Sequence, residues 1–189
     1  LSSKNRRDDS YFAASRRRNK KYMMIIIPIV GALAAIGIAA AILAQQGGPK
    51  VTFGPLGSAH EHAVFEVLLN GTPIDFSQGK YQVQSQYIHV ENNDGTTLHR
   101  HATEVPVGEF FRSVGMSVDS SCFVTDDGTR YCEDGGSEQL RFYVNGQERS
   151  SISDYVLSEG DRMLIIYGNE SQEQIQAALD RLEELQLQG

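Results

Sequence analysis

The chain has 189 residues, 40% hydrophobic and 22% charged, with two cysteines and a formal net charge of -7. Its length fits one domain of ordinary size with extensions, and its composition excludes collagen, wholesale disorder and disulfide-dense miniature scaffolds. The charge divides into a basic head (eight Lys/Arg against Asp8 and Asp9 in 1–22, +6), an uncharged bar (23–44) and a body (45–189) with nine basic and 22 acidic residues, -13, which excludes a nucleic-acid partner.

In chain order, 1–22 reads as a basic cytoplasmic tail and 23–44, MMIIIPIVGALAAIGIAAAILA, as a transmembrane helix. Twenty-two helical residues reach about 33 Å, enough for a ~30 Å hydrocarbon core. Pro28 stands near the start, where a missing N–H costs least. The positive cluster before the bar predicts a single-pass cell-membrane protein with its N-terminus cytoplasmic and its C-terminal domain extracytoplasmic. Ala39 and Ala41 form a cleavage-like pair, but the apolar run is longer than an export signal needs, so a retained anchor is expected. Gln45–Ala59, with Gly, Pro and Ser throughout, reads as a linker.

Residues 60–169 read as the folded domain. Ala63–Leu69, the Asn70-Gly71 turn and Ile74–Phe76 predict a hairpin. Tyr81–Glu91 and Thr96–His101 follow as strands around Asn93-Asp94-Gly95. A short helix, Val107–Val114, begins after Pro106 and stops at Gly115. In CFVTDDGTRYC, Asp126-Asp127-Gly128 is a three-residue hairpin loop with Gly at positive φ. Counting outward sets Val124 opposite Arg130, Phe123 opposite Tyr131 and Cys122 opposite Cys132, which predicts a disulfide staple. Leu140–Val144 alternates and ends at Asn145-Gly146. The turn Ser158–Asp161 leads into Met163–Tyr167, apolar enough for a central strand covered on both faces. Ser171 with Gln174 starts an amphipathic helix in 170–189, whose Ile175, Ala178, Leu179, Leu182 and Leu185 stripe suits core packing or a partner. Strands, a helix and more strands make an α+β domain.

All five histidines, His60, His62, His89, His99 and His101, fall within 42 residues. Residues two apart on a strand share a face, so each H-x-H pair projects both rings one way. Around the Asn93-Asp94-Gly95 loop, the register that keeps both faces consistent sets His89 opposite His99 and Tyr87 opposite His101. One face then carries His89, His99, His101 and Glu91, while Ile88, Val90 and Leu98 take the other. His60 and His62 share a face with Glu66, opposite Phe65, Val67 and Leu69. Several imidazoles and a carboxylate suit Zn or Cu ions. His89, His99 and His101 are the first expected ligands, His60 and His62 the next, and Glu91 an orienter or fourth ligand. The bland alternative is a set of polar or carboxylate-bonded histidines on a half-exposed sheet.

The segment LRFYVNGQERSSISDYVLSEGDRMLIIYGN resembles the closing half of β-grasp (ubiquitin-like) domains. The stretch from HEHAVFEVLLNG through DGTTLHRHATEVPVGEFFRSVGM to the cysteine hairpin resembles single-span, His-rich extracytoplasmic proteins of ammonia-oxidising archaea. The resemblance implies a β-grasp-like domain with an added His-bearing hairpin, a disulfide hairpin and a C-terminal helix, in a copper-rich setting. Relatives sometimes carry the label protein-disulfide isomerase, which a chain without C-x-x-C does not support.

The function expected is a membrane-anchored extracytoplasmic protein that binds copper or zinc through its histidines. The alternative is a structural or accessory subunit of a membrane complex, reaching a membrane-protein partner through the span or the terminal helix. A metal-dependent enzyme or a thiol–disulfide oxidoreductase comes third; no catalytic residue is assigned, since no reaction-bearing motif is present.

Overall fold

The structure, a computed structural model, describes Met24, residues 27–30, Leu33 and residues 52–187. The chain divides into two compact units, Leu1–Val51 and Thr52–Gly189. In the first, Met24, residues 27–30 and Leu33 are helical and exposed. The expected transmembrane helix over 23–44 is corrected: among the described residues no helix is long and apolar enough to cross a membrane. The rest of 23–44, like the basic tail 1–22, lies outside the described residues. The single-pass anchoring and extracytoplasmic placement inferred from that helix are withdrawn with it.

The second unit is α+β and mostly strand. Its main sheet is built on β1 (Glu61–Leu69), which pairs in parallel with β10 (Asp161–Gly168), Ala63 opposite Asp161 and Leu69 opposite Tyr167. The other edge of β1 is shared by two antiparallel partners. β4 (Thr97–Arg100) pairs with its first half and β2 (Thr72–Pro73) with its end. With β3 (Ile88–His89), β8 (Gln139–Val144) and β9 (Gln147–Arg149), the strand order is β3-β4-β1-β10-β8-β9, with β2 beside β1. A second sheet of β5 (Ser117–Val118), β6 (Cys122–Val124) and β7 (Arg130–Cys132) carries the Cys122–Cys132 disulfide. The register of this hairpin, Cys122 opposite Cys132 and Val124 opposite Arg130, is the one its turn predicts, with Gly128 at φ 86 closing the loop.

The period of two in β1 divides the domain into two layers. Ala63, Phe65, Val67 and Leu69 enter the larger core under α1 (Val107–Ser113), with Phe76, Phe110, Phe111, Phe142 and Ile165. Val64 and Leu68 face the other way, where Tyr143, Leu164 and Ile166 meet Ile175, Ala178 and Leu182 of α2 (Gln172–Glu184). Ser171 caps α2 through a reciprocal pair with Gln174, as S-x-x-Q predicts. Arg162 ties down the far end by donating to the carbonyls of Leu182 and Leu185 and pairing with Glu183 at 2.9 Å. The apolar stripe of α2 therefore lies against the sheet, which resolves the choice between core and partner in favour of the core.

Some elements differ from expectation for local reasons. Only Ile88–His89 of the expected Tyr81–Glu91 strand pairs as one, because Val83 stands at φ 52 and the preceding chain turns. The hairpin after β1 closes at once through Asn70 and Gly71 (φ 51 and 74), so its return strand is Thr72–Pro73 and not Ile74–Phe76. Part of the expected linker packs along the domain: Gly54 N–H donates to the Thr103 carbonyl at 2.9 Å and Gly57 N–H to that of His101 at 2.7 Å.

Phe110 sits at the centre of the larger core, its ring 5.4 Å from those of Phe65 and Phe76 and 5.3 Å from Phe111. Phe110→Ala should therefore destabilise the fold by about 3–5 kcal/mol. Urea unfolding should show a lower midpoint at an unchanged slope; an unchanged midpoint would contradict this packing.

Candidate functional site

Three strands bring the five histidines onto one face. His62 of β1 stands opposite His99 of β4, and His99 opposite His89 of β3, so these three form a single row across the sheet. One step along, His101 N–H donates to the Tyr87 carbonyl at 2.8 Å, which keeps His101 in the register expected from the sequence. The ring of His60 lies 4.8 Å from that of His101 and 4.9 Å from that of His62. The contacts continue from His62 to His99 (4.8 Å), His89 to His99 (5.9 Å), His89 to His101 (5.0 Å) and His99 to His101 (6.4 Å). All five form one connected cluster. Neighbouring strands lie about 4.8 Å apart, so the row inherits its spacing from the backbone.

The Ser158–Asp161 turn supplies a residue that the sequence reading missed. Gly160 takes φ 82, a conformation open to glycine, and donates its N–H to the His62 carbonyl at 2.9 Å. Asp161 holds the turn by accepting from Ser158 N–H (2.7 Å), Tyr155 Oη (2.7 Å) and Asn145 Nδ2 (2.9 Å). The result places Glu159 Oε2 2.8 Å from the His62 backbone nitrogen and 3.2 Å from its Nδ1. A carboxylate accepts, so in the neutral ring Nδ1 carries the proton and Nε2 the lone pair. His62 Nε2 is buried and has no hydrogen-bond partner.

His89 is oriented in the same sense. Its Nδ1 lies 2.7 Å from the Ser85 carbonyl, which can only accept, so Nδ1 is the donor. Nε2 then faces Glu91 Oε2 at 3.3 Å. Glu91 thus sits beside the cluster as expected, against His89 first.

Exposure is graded across the cluster. His89 and His99 are buried (6% and 3% exposed), His62 and His101 half-buried, and His60 exposed. Burial pushes His99 down to about 4, with Glu91 pulling the other way and His62, His89 and His101 adding to the lowering. His101 is lowered by burial, then by His89 and His60. Asp94 nearby is held below the usual carboxylate range: burial raises it, but hydrogen bonds from Thr97 and Thr96 and the proximity of His99 outweigh that.

The rings lie in contact with one another, at centroid distances of 4.8 to 6.4 Å. Among the described residues, no group of three or more His, Cys, Asp and Glu side chains is arranged to hold a metal ion as it stands. The structure brings the five expected histidines together, with Glu91 beside His89. Two surface grooves, one between Leu69 and Tyr131 and one between Leu68 and Arg181, do not include a histidine. Comparison with known families, curated proteins and solved structures finds no match in any of the three, so nothing there bears on the archaeal or β-grasp resemblance.

The depressed His99 fixes a direction for stability against pH. Its ordinary value is 6.5 and its folded value about 4, so between these the unfolded chain binds a proton that the folded chain refuses. Stability in chelator-treated buffer should be level above about pH 6.5, fall as pH drops toward about 4, and level again below. His101 adds in the same direction. Urea midpoints across this range should show the fall, and His99→Asn should flatten it; a wild-type profile without a fall would contradict the burial of a neutral His99.

Proposed function

We propose that this face binds a divalent transition-metal ion, Zn2+ or Cu2+, at its histidine cluster. The observation that carries the reading is His62: its Nδ1 is engaged by a carboxylate while its Nε2, buried and without a partner, sits in a cluster of four other imidazoles. A carboxylate on the far ring nitrogen is the usual outer partner of a metal-binding histidine, fixing tautomer and ring direction. A buried acceptor with no donor costs about 1–3 kcal/mol, which a bound cation would remove.

The spacing supports the reading. With metal–nitrogen bonds of about 2.0–2.1 Å and tetrahedral angles, two imidazoles on one ion have ring centres roughly 5 Å apart. The contacts in the cluster run from 4.8 to 6.4 Å. Side-chain rotations, with no shift of the strands, would bring the nitrogens inward. His99, held at about 4, is neutral at pH 7 and has a lone pair to offer. Both cysteines are joined to each other, so the donors are imidazole and carboxylate, a set that suits Zn2+ and Cu2+.

Metal analysis and calorimetry on the full chain test this. Wild type should retain Zn2+ or Cu2+ through dialysis and gain melting temperature when either is added. His62→Ala with His99→Asn should weaken binding by more than about 100-fold, and Glu159→Ala by about 10–100-fold at unchanged stoichiometry. Wild-type protein with no retained ion and no change in melting temperature would overturn the proposal.

A further inference from the structure

We infer that the five histidines divide into two functional sets, a buried row that holds the ion and an outer pair, His60 and His101, that loads it. The inference rests on the metal-binding reading and adds a path to it. The inner row is His62, His99 and His89, in register across β1, β4 and β3. Two of its members have their ring direction set from outside the cluster, His62 by Glu159 and His89 by the Ser85 carbonyl, and in both the donor nitrogen left over is Nε2. His99, between them, is the most buried of the five.

The outer pair differs in each respect. His60 is exposed and precedes the first residue of β1, while His101 follows the last residue of β4 and is half-buried. Their rings meet at 4.8 Å, close enough for both to sit on one ion. From this pair three contacts lead inward, His60 to His62 at 4.9 Å, His101 to His89 at 5.0 Å and, longest, His101 to His99 at 6.4 Å. An ion held by His60 and His101 is therefore one ring away from each member of the row. Removing all of a cation's waters at once is costly, whereas exchanging ligands one at a time keeps the charge solvated throughout. A graded line of imidazoles supplies those exchanges.

The steps balance simply. The hydrated ion exchanges two waters for His60 and His101 nitrogens, and then exchanges these and one further water for His62 Nε2, His99 and His89 Nε2. One metal–nitrogen bond forms for each metal–oxygen or metal–nitrogen bond broken. No electron moves, and His62 and His89 keep their Nδ1 protons, donated to the Glu159 carboxylate and the Ser85 carbonyl. The carboxylate of Glu91, beside His89 Nε2, offers the remaining coordinating oxygen. The net charge of -13 on 45–189 draws cations toward this face before any contact is made.

The test separates rate from affinity. Full-length protein is loaded with Co2+, whose visible absorption reports coordination by nitrogen, in stopped flow; the loaded protein is then stripped by a chromophoric chelator. His60→Gln with His101→Gln should keep the final spectrum and the stoichiometry, with affinity within about threefold, while loading and stripping both slow by about tenfold or more. His62→Ala with His99→Asn should abolish the final spectrum. If the outer double variant loads and strips as fast as wild type, or loses affinity as completely as the inner one, the division of roles is overturned while metal binding stands. If wild type takes up no Co2+, Zn2+ or Cu2+, the functional reading falls and this inference with it. Circular dichroism on each variant verifies that the fold is retained.

Discussion

The site and the core both depend on β1 being paired along both edges. A strand so placed has no freedom of register: a slip of one residue would turn Phe65 and Val67 out of the larger core and carry His62 into it. The same constraint that buries Ala63, Phe65, Val67 and Leu69 under α1 therefore presents His62 on the opposite face, in line with Val64 and Leu68. The antiparallel pairing of β1 with β4 then sets His62 against His99, and that of β4 with β3 sets His99 against His89. Packing of apolar side chains decides where the imidazoles go. Their clustering is imposed by the core and does not need a bound ligand to assemble it.

That origin explains why the cluster is electrostatically tense in a way an ordinary polar surface is not. Imidazoles in contact would repel if all were charged, and burial further disfavours the charged form. The lowering of His99 and His101 follows from both effects. Around this neutral patch stand Glu91, Glu159 and Asp94, near His89, His62 and His99 in turn. Imidazoles rimmed by carboxylates are the donor set on which the metal-binding proposal rests.

How much of this was legible in the sequence depends on the range of each contact. The His89–His99 and Cys122–Cys132 registers follow from turns of a few residues, where spacing and turn chemistry decide, and both are observed. The cap at Ser171 and the helix after Pro106 are equally local. The β1–β4 pairing that brings His62 to His99 spans 37 positions and left no local signal; the sequence showed only that each H-x-H pair had to share a face. Glu159 lies 97 positions from His62, in a turn whose glycine was recognised but whose direction is set by Asp161 and its partners. The loop reading at Asn93-Asp94-Gly95 reached the right register through the wrong residues. Positive φ falls on Asn92 and Asn93, whereas Gly95 packs so closely on Phe76 and Ser77 that a side-chain carbon there would lie 2.4 Å from the Ser77 nitrogen. The membrane reading rested on apolarity and charge alone, and among the described residues no helix is long and apolar enough to cross a membrane.

A cluster built by core packing has a consequence for selectivity. Because the strands fix the ring spacing, the face cannot contract or expand much around ions of different size; only side-chain rotation is free. On the metal-binding proposal, such a site would discriminate by donor type and coordination angle more than by radius. The His62 and His89 rings are each tethered at Nδ1, which leaves rotation about the tether as the adjustable motion. Soft monovalent ions that prefer sulfur find none here, since Cys122 and Cys132 are joined in the second sheet and Met116 and Met163 lie in the larger core. Hard ions that demand six oxygens find too few carboxylates among the rings. On the metal-binding proposal, the donor set would favour a divalent ion of intermediate softness that accepts nitrogen at open angles, and the rigidity of β1, imposed by hydrophobic burial on its other face, would narrow the choice.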